Sequence, residues 1–166
     1  ADPVSLDAGL MFIPFCRNCI QSASSLLVLD YGAYTFSNSS ATQSATGRDT
    51  GMQAKGYLLE NHLEYRVGAF QGNRGDLNNA FRSAGRLQYN FLDPEVGFFY
   101  PGTYMGAKKV LAVGAGFDVQ KDYKAYAGDL FLDHPLGSGA VTFQVDYIAF
   151  DGGDFLTALP KQSILL

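Results

Sequence analysis

The chain has 166 residues, rich in Gly (19), Phe (13) and Tyr (10), with no Trp, only 17% charged residues and a net charge of -4. That length suits one domain with a sizeable core, and the mild negative charge gives nucleic acid no electrostatic reason to bind. No apolar run reaches the roughly 20 residues of a spanning helix, which argues against a helical membrane protein and leaves a β-barrel open, since its strands need only about 9 to 11 residues.

Period-two alternation dominates from the start of the chain. In "SLDAGLMFI", Leu6, Ala8, Leu10 and Phe12 share one face and Ser5, Asp7 and Gly9 the other. The longest connection follows, 14–47, with a short helix expected over "CIQSASSLLVLD" and a Ser/Thr-rich stretch, "SNSSATQSATG", behind it. "DTGMQAKGYLL" predicts the next strand, and "EN" at 60 and 61 a tight reversal. "HLEYRVGAF" then sets Leu63, Tyr65, Val67 and Ala69 against His62, Glu64, Arg66 and Gly68. Beyond the polar loop "GNRGDLNNAF", the stretch "RSAGRLQYNFL" opposes Leu87, Tyr89 and Phe91 to Arg86, Gln88 and Asn90.

In "KVLAVGAGFDVQ" the large apolar residues fall on odd positions from Leu111 to Val119, with Gly114, Gly116, Asp118 and Gln120 between them. "YKAYAGDLFLD" is a further strand, "HPLGSG" at 134–139 a Pro/Gly turn, and "AVTFQVDYIAF" a strand with Val141, Phe143, Val145 and Tyr147 on one face. After the loop "DGGDFLTALP", another strand begins near Gln162. Seven strands and the start of an eighth are therefore expected, with short and long connections alternating and with neither a domain boundary nor an internal repeat.

Which face meets the core is decided by the second face. In a small soluble barrel the polar face meets bulk water and should be rich in Lys and Glu. Here it carries Gly, Ala, Gln, Asn and Thr with isolated charges, which suits a water-filled lumen. Tyr57, Tyr89, Tyr123, Phe98, Phe99 and Tyr100 lie near strand ends, where an aromatic girdle would meet the membrane interface. The pattern predicts an all-β chain forming an antiparallel transmembrane β-barrel, with a soluble antiparallel sandwich or barrel as the alternative.

Several motifs point elsewhere and fail on chemistry. "VLAVGAGFDV" lacks the third glycine of a dinucleotide fingerprint, because Val119 stands there and period two continues where a helix should open. "NRGD" at 73–76 is an adhesion-like tripeptide of a kind common by chance in loops. "DGGD" at 151–154 lacks the ligand spacing of a dedicated calcium loop. His62 and His134 have no nucleophile and carboxylate placed to form a triad. Asp93 and Glu95 flank Pro94 at a turn, where capping or ion pairing suits them better than acid/base work. No enzyme, cofactor or metal site is expected.

Seven stretches, "DAGLMFIPFCRN", "GRDTGMQAKGYL", "LEYRVGAFQG", "AGRLQYNF", "DPEVGFF", "KKVLAVGAGFDVQKDYKAYAGDLFLD" and "VDYIAFDGG", together resemble the phosphate-selective porin O and P family of bacterial outer membranes. The resemblance implies a barrel of about sixteen antiparallel strands in the bacterial outer membrane, usually a homotrimer, passing small solutes, including anions such as phosphate, by passive diffusion. It also implies that 14–47 is a constriction loop folded into the pore. Seven or eight strands are about half of such a barrel, Ala1 opens on no signal peptide, and "LPKQSILL" lacks a terminal aromatic. The expectation is therefore a portion of a larger porin. The runner-up is a self-contained eight-stranded barrel, too narrow for an open channel.

A pore selects ions through charges near its narrowest point. Arg17 leads, because it lies in the loop that the resemblance folds inward, together with the anion Asp30. Strand parity adds Arg48, Lys55, Arg66, Arg82 and Arg86, opposed by Asp7, Asp49, Glu64, Asp118, Asp129 and Asp146. An arginine fork suits phosphate or carboxylate solutes, although these groups could equally be ion pairs that stiffen the wall. Cys16 and Cys19 have no further ligands for zinc and no α/β setting for a thioredoxin motif. They are a disulfide candidate in an exposed loop, holding Arg17 toward the lumen. Two other functions stay open: a scaffold barrel with partner-binding loops, and a soluble β-barrel that binds a ligand.

Overall fold

The computed structural model describes residues 1–22, 24, 47–73, 78–157 and 161–165. Eight strands run in chain order: β1 Ser5–Phe12, β2 Arg48–Leu58, β3 Leu63–Phe70, β4 Arg82–Asn90, β5 Val110–Gln120, β6 Tyr123–Leu136, β7 Gly139–Asp151 and β8 Gln162–Leu165. Each pairs antiparallel with the next, giving one eight-stranded meander in the order β1-β2-β3-β4-β5-β6-β7-β8. Among the described residues β1 and β8 do not pair, so the sheet stays open and the eight strands do not close into a barrel of their own.

Alternation sorts the strand residues into two faces as the sequence predicts, Arg48 of β2 excepted. Exposed apolar side chains crowd the outer face, among them Leu6, Leu10, Met52, Val67, Leu87, Val113, Phe143 and Tyr147. The inner face holds Asp49, Gln53, Glu64, Arg66, Arg82, Arg86, Gln88, Asp118, Asp129 and Asp146, all buried. Successive strand residues point to opposite sides, so the charges gather on the inner face beside a buried apolar cluster, and the outer face is apolar and exposed, the reverse of a soluble sheet.

Two chain segments cover the inner face. Residues 13–22 cross it as a strap with a short 3-10 turn at Asn18–Ile20; of the helix expected over "CIQSASSLLVLD", Cys19 and Ile20 lie in that turn, Gln21 is already extended, and most of the rest lies outside the described residues. Residues 91–109, between β4 and β5, form a second covering loop, which carries no periodicity and in which the sequence placed girdle aromatics and a Pro94 turn but no cover for the sheet. The two covers join through a parallel bridge between Gln21 and Tyr100 and a hydrogen bond from the Ser22 amide to the Tyr100 carbonyl at 3.0 Å. Beneath the strap, Met11, Ile13, Phe15, Cys16 and Cys19 pack with Phe70, Tyr123, Ile148 and Phe150.

The connections depart from the expected alternation of lengths. Lys121 and Asp122 alone join β5 to β6, and Gly137 and Ser138 alone join β6 to β7, so two short turns follow one another. The "HPLGSG" turn is also tighter than expected: β6 runs through Pro135, which pairs with Ala140, and reverses only at Gly137 with φ 61°. The turn at "EN" begins one residue earlier, with Leu59, Glu60 and Asn61 all at positive φ. The aromatics expected in a girdle divide by exposure. Tyr89, Phe98 and Phe99 are exposed, whereas Tyr57, Tyr100 and Tyr123 are buried on the inner side with their hydroxyls hydrogen-bonded there. A buried phenol seeks a polar partner, and the inner face supplies one.

Candidate functional site: the charged inner face

Four arginines and their carboxylates organise this face. Arg17 reaches from the strap to Glu95 on the covering loop, Nη1 donating to Oε2 at 2.8 Å and Nη2 to Oε1 at 2.7 Å. Nη2 also donates to the Pro101 carbonyl at 3.1 Å, and the guanidinium lies 3.5 Å from the Phe131 ring centroid. The pair is buried, with side-chain exposures of 0% and 1%. Glu95 is held further by Gln88 Nε2 and the Tyr104 hydroxyl, each donating at 2.9 Å. A bidentate ion pair is thereby added to the backbone bridge that joins the two loops.

The remaining arginines follow the same rule. Arg66 Nε donates to Glu64 at 2.6 Å, and its terminal nitrogens donate to the carbonyls of Phe98 and Gly97 on the covering loop. Arg82 is paired with Asp118, with Asp49 at 3.8 Å on its other side. Arg86 forks onto Asp129 and donates from Nη2 to Gln88 at 2.9 Å. The strap's backbone completes the set, the Arg17 amide donating to Asp129 and the Asn18 amide to Asp146, each at 3.3 Å. Tyr100 sits among three guanidiniums, 4.8 Å from Arg17, 5.3 Å from Arg66 and 5.5 Å from Arg86, and donates to Glu64 at 2.7 Å. Burial and then the Glu64 charge push its hydroxyl well above the usual phenol range; burial and then Glu95 do the same for Tyr104.

The predicted pore-lining set therefore divides. Arg17, Arg66, Arg82 and Arg86 lie on the inner face, but each fork already holds a carboxylate and is buried, so none presents an open pair of donors to an anion. Lys55 is on the same face, half-buried, 3.4 Å from Asp7 and 4.6 Å from the Phe98 ring. Arg48 is not. It points to the outer face, with its guanidinium 4.5 Å from the Phe12 ring centroid, because β2 alternates so that Asp49, Gln53 and Lys55 face inward. Asp30 and most of 14–47 lie outside the described residues, as do Arg74, Gly75 and Asp76 of the adhesion-like tripeptide.

Cys16 and Cys19 form a disulfide with Cα atoms 5.1 Å apart. It lies inside the apolar cluster, not in the exposed loop that was expected, because the strap turns its cysteines toward Phe70 and Phe150. The glycines of "VLAVGAG" have a packing role. A Cβ on Gly116 would stand 1.9 Å from the Phe15 carbonyl oxygen of the strap, and one on Gly114 would overlap the Arg86 fork. In the calcium-like loop Asp151 accepts from the Gly153 amide at 3.0 Å, and the amides of Asp154 and Phe155 donate to Asp122 of the β5–β6 turn.

Sequence reading missed Glu95 as Arg17's partner and Tyr104 beside it, and placed Tyr100 in the girdle instead of among the arginines. Only Glu95 had a usable signal, its place beside Pro94 at a turn. The chain matches no family model, no curated protein and no solved structure.

Proposed function

We propose that this chain forms part of the wall of a bacterial outer-membrane β-barrel of the porin type, a passive channel for small solutes. The observation that carries this reading is the inverted sheet. On the outer face of β1 to β7 the charged residues are Arg48, Lys124 and Asp151, each within two residues of a strand end, and every other charged strand residue faces inward. An apolar band bordered by charges is the surface a lipid bilayer selects, since water on that face would meet Leu, Val and Phe. The unpaired edges of β1 and β8 favour a sheet continued by further strands, about half of a sixteen-stranded wall.

The charge balance changes the solute reading. Among the described residues, four buried arginines, Arg17, Arg66, Arg82 and Arg86, face seven buried acids, Asp49, Glu64, Glu95, Asp118, Asp129, Asp133 and Asp146. An acid excess favours cations or neutral solutes over phosphate. A second reading, a scaffold barrel, draws on the strap and covering loop that fill the inner face. Single-channel recording of the full-length protein in planar bilayers separates the two. Discrete conductance steps support the channel; a detergent-solubilised, folded protein that never conducts leaves the scaffold. Partition into the aqueous phase without detergent would overturn both.

A further inference from the structure

We propose that the inner face of β7 carries a selective row for neutral, polyhydroxylated solutes, in which Thr142 accepts a hydrogen bond from one solute hydroxyl and Gln144 donates one to its neighbour. The proposal rests on the reading of the chain as part of a channel wall and names the solute class of that channel. Strap and covering loop bury most of the inner face, but Thr142 and Gln144 stay half-buried, two residues and so about 7 Å apart on one strand. The inner faces of β6 and β7 hold no Lys or Arg, so an anion meets no cation there.

What these side chains offer is set by the carboxylates behind them. Asp133 Oδ2 accepts from Thr103 Oγ1 and Thr142 Oγ1, each at 2.9 Å, and the two hydroxyl oxygens lie 3.0 Å apart. The carboxylate charge draws both protons inward, which leaves Thr142 a lone pair for an outside donor and no proton to give. Gln144 is set the other way. Its Oε1 accepts from Gln21 Nε2 at 2.8 Å and its Nε2 donates to Asp146 Oδ2 at 2.7 Å, so the second hydrogen of that amide has no acceptor among the described residues. An acceptor and a donor side by side match a sugar or polyol, whose every hydroxyl both gives and takes. Cations match less well. Asp133 and Asp146 are 0% and 1% exposed and are held further by the amides of Tyr104 and Asn18, so a passing cation meets hydroxyl and amide instead of open carboxylate.

Osmotic swelling of liposomes carrying the full-length protein tests the row, with glucose compared against glycine betaine, a smaller net-neutral solute that has neither hydroxyl nor N–H. Glucose should enter faster than betaine despite its size. Thr142→Val and Gln144→Met should each lower the glucose-to-betaine ratio about fivefold, the effect of losing one neutral hydrogen bond. Thr142→Ser keeps the hydroxyl and should retain the ratio, as should Thr50→Val, which removes a hydroxyl from the outer face. A protein that conducts potassium chloride but admits glucose no faster than betaine overturns the row and leaves the channel standing. So does a glucose preference that survives both Thr142→Val and Gln144→Met. Liposomes that swell in neither solute, from a protein that passes no current, overturn the channel reading and the row with it.

Discussion

The Arg17–Glu95 pair gives the sharpest quantitative expectation. Glu95→Leu strips the buried guanidinium of its bidentate partner, leaving Arg17 with the Pro101 carbonyl and the rings of Phe131 and Tyr100. An uncompensated buried charge of this kind costs about 3–5 kcal/mol. Arg17→Met should cost less, about 2–3 kcal/mol, because Glu95 keeps the Gln88 amide and the Tyr104 hydroxyl as donors. The double variant replaces both charges by side chains of similar bulk and should cost no more than about 2 kcal/mol. Urea titrations of the four proteins in one detergent, followed by far-ultraviolet circular dichroism, yield the cycle. The expected coupling is about 3 kcal/mol or more. Costs that add to within about 0.5 kcal/mol would show that the two residues do not share an interaction, and would leave the backbone bridge as the link between strap and covering loop.

Three further expectations follow from the same face. Gly116→Ala sets a methyl group against the Phe15 carbonyl and should destabilise by about 1–3 kcal/mol, whereas Gly137→Ala meets nothing within 4 Å and suffers only the strain of a φ of 61°; equal chevron shifts for the two would contradict the close approach of the strap. Replacing Cys16 and Cys19 by Ser opens a ring of four residues, for which loop-closure entropy predicts a loss of about 2 kcal/mol, measurable as a lower urea midpoint and absent if the thiols are free in the purified protein. Tyr100 and Tyr104 are both raised above the roughly pH 10 of an unfolded phenol, so the folded state holds more protons above that pH; their contribution is complete below about pH 10 and is lost as pH rises through the folded values. Phenolate absorbance from these two tyrosines should therefore appear together with alkaline unfolding, and ionisation of all ten tyrosines near pH 10 in the folded protein would refute the burial.

Alternation made the strands legible, because a period of two in side-chain direction is a local property of the backbone. It also assigned the faces wherever large and polar residues separate cleanly, as in Leu111 to Gln120. It failed for Arg48, since β2 carries Thr50 and Ala54 on one face against Gly51 and Gln53 on the other, too small a contrast to fix parity. The charged partners were out of reach for a different reason. Glu95 lies 78 residues from Arg17, and Asp129 lies 43 from Arg86, so neither spacing carries a local signature. The 91–109 loop shows no periodicity because the partners of its Glu95, Gly97, Phe98 and Tyr100 side chains and carbonyls lie on β2, β3, β4 and the strap.

The two-residue turns and the distant ion pairs together imply an order of assembly. Hairpins closed by Lys121–Asp122 and Gly137–Ser138 bring neighbours together with almost no loop to close, so β5, β6 and β7 can zip early. The strap's contacts with Asp129 and Asp146 span 112 and 128 residues and can form only once that meander stands. Until then the inner face is wet and its carboxylates and guanidiniums are hydrated. The wall is raised first and its interior is furnished last. A φ-value near 0 for Glu95 beside higher values in β6 is the kinetic mark of that order, and a value near 1 for Glu95 would reverse it.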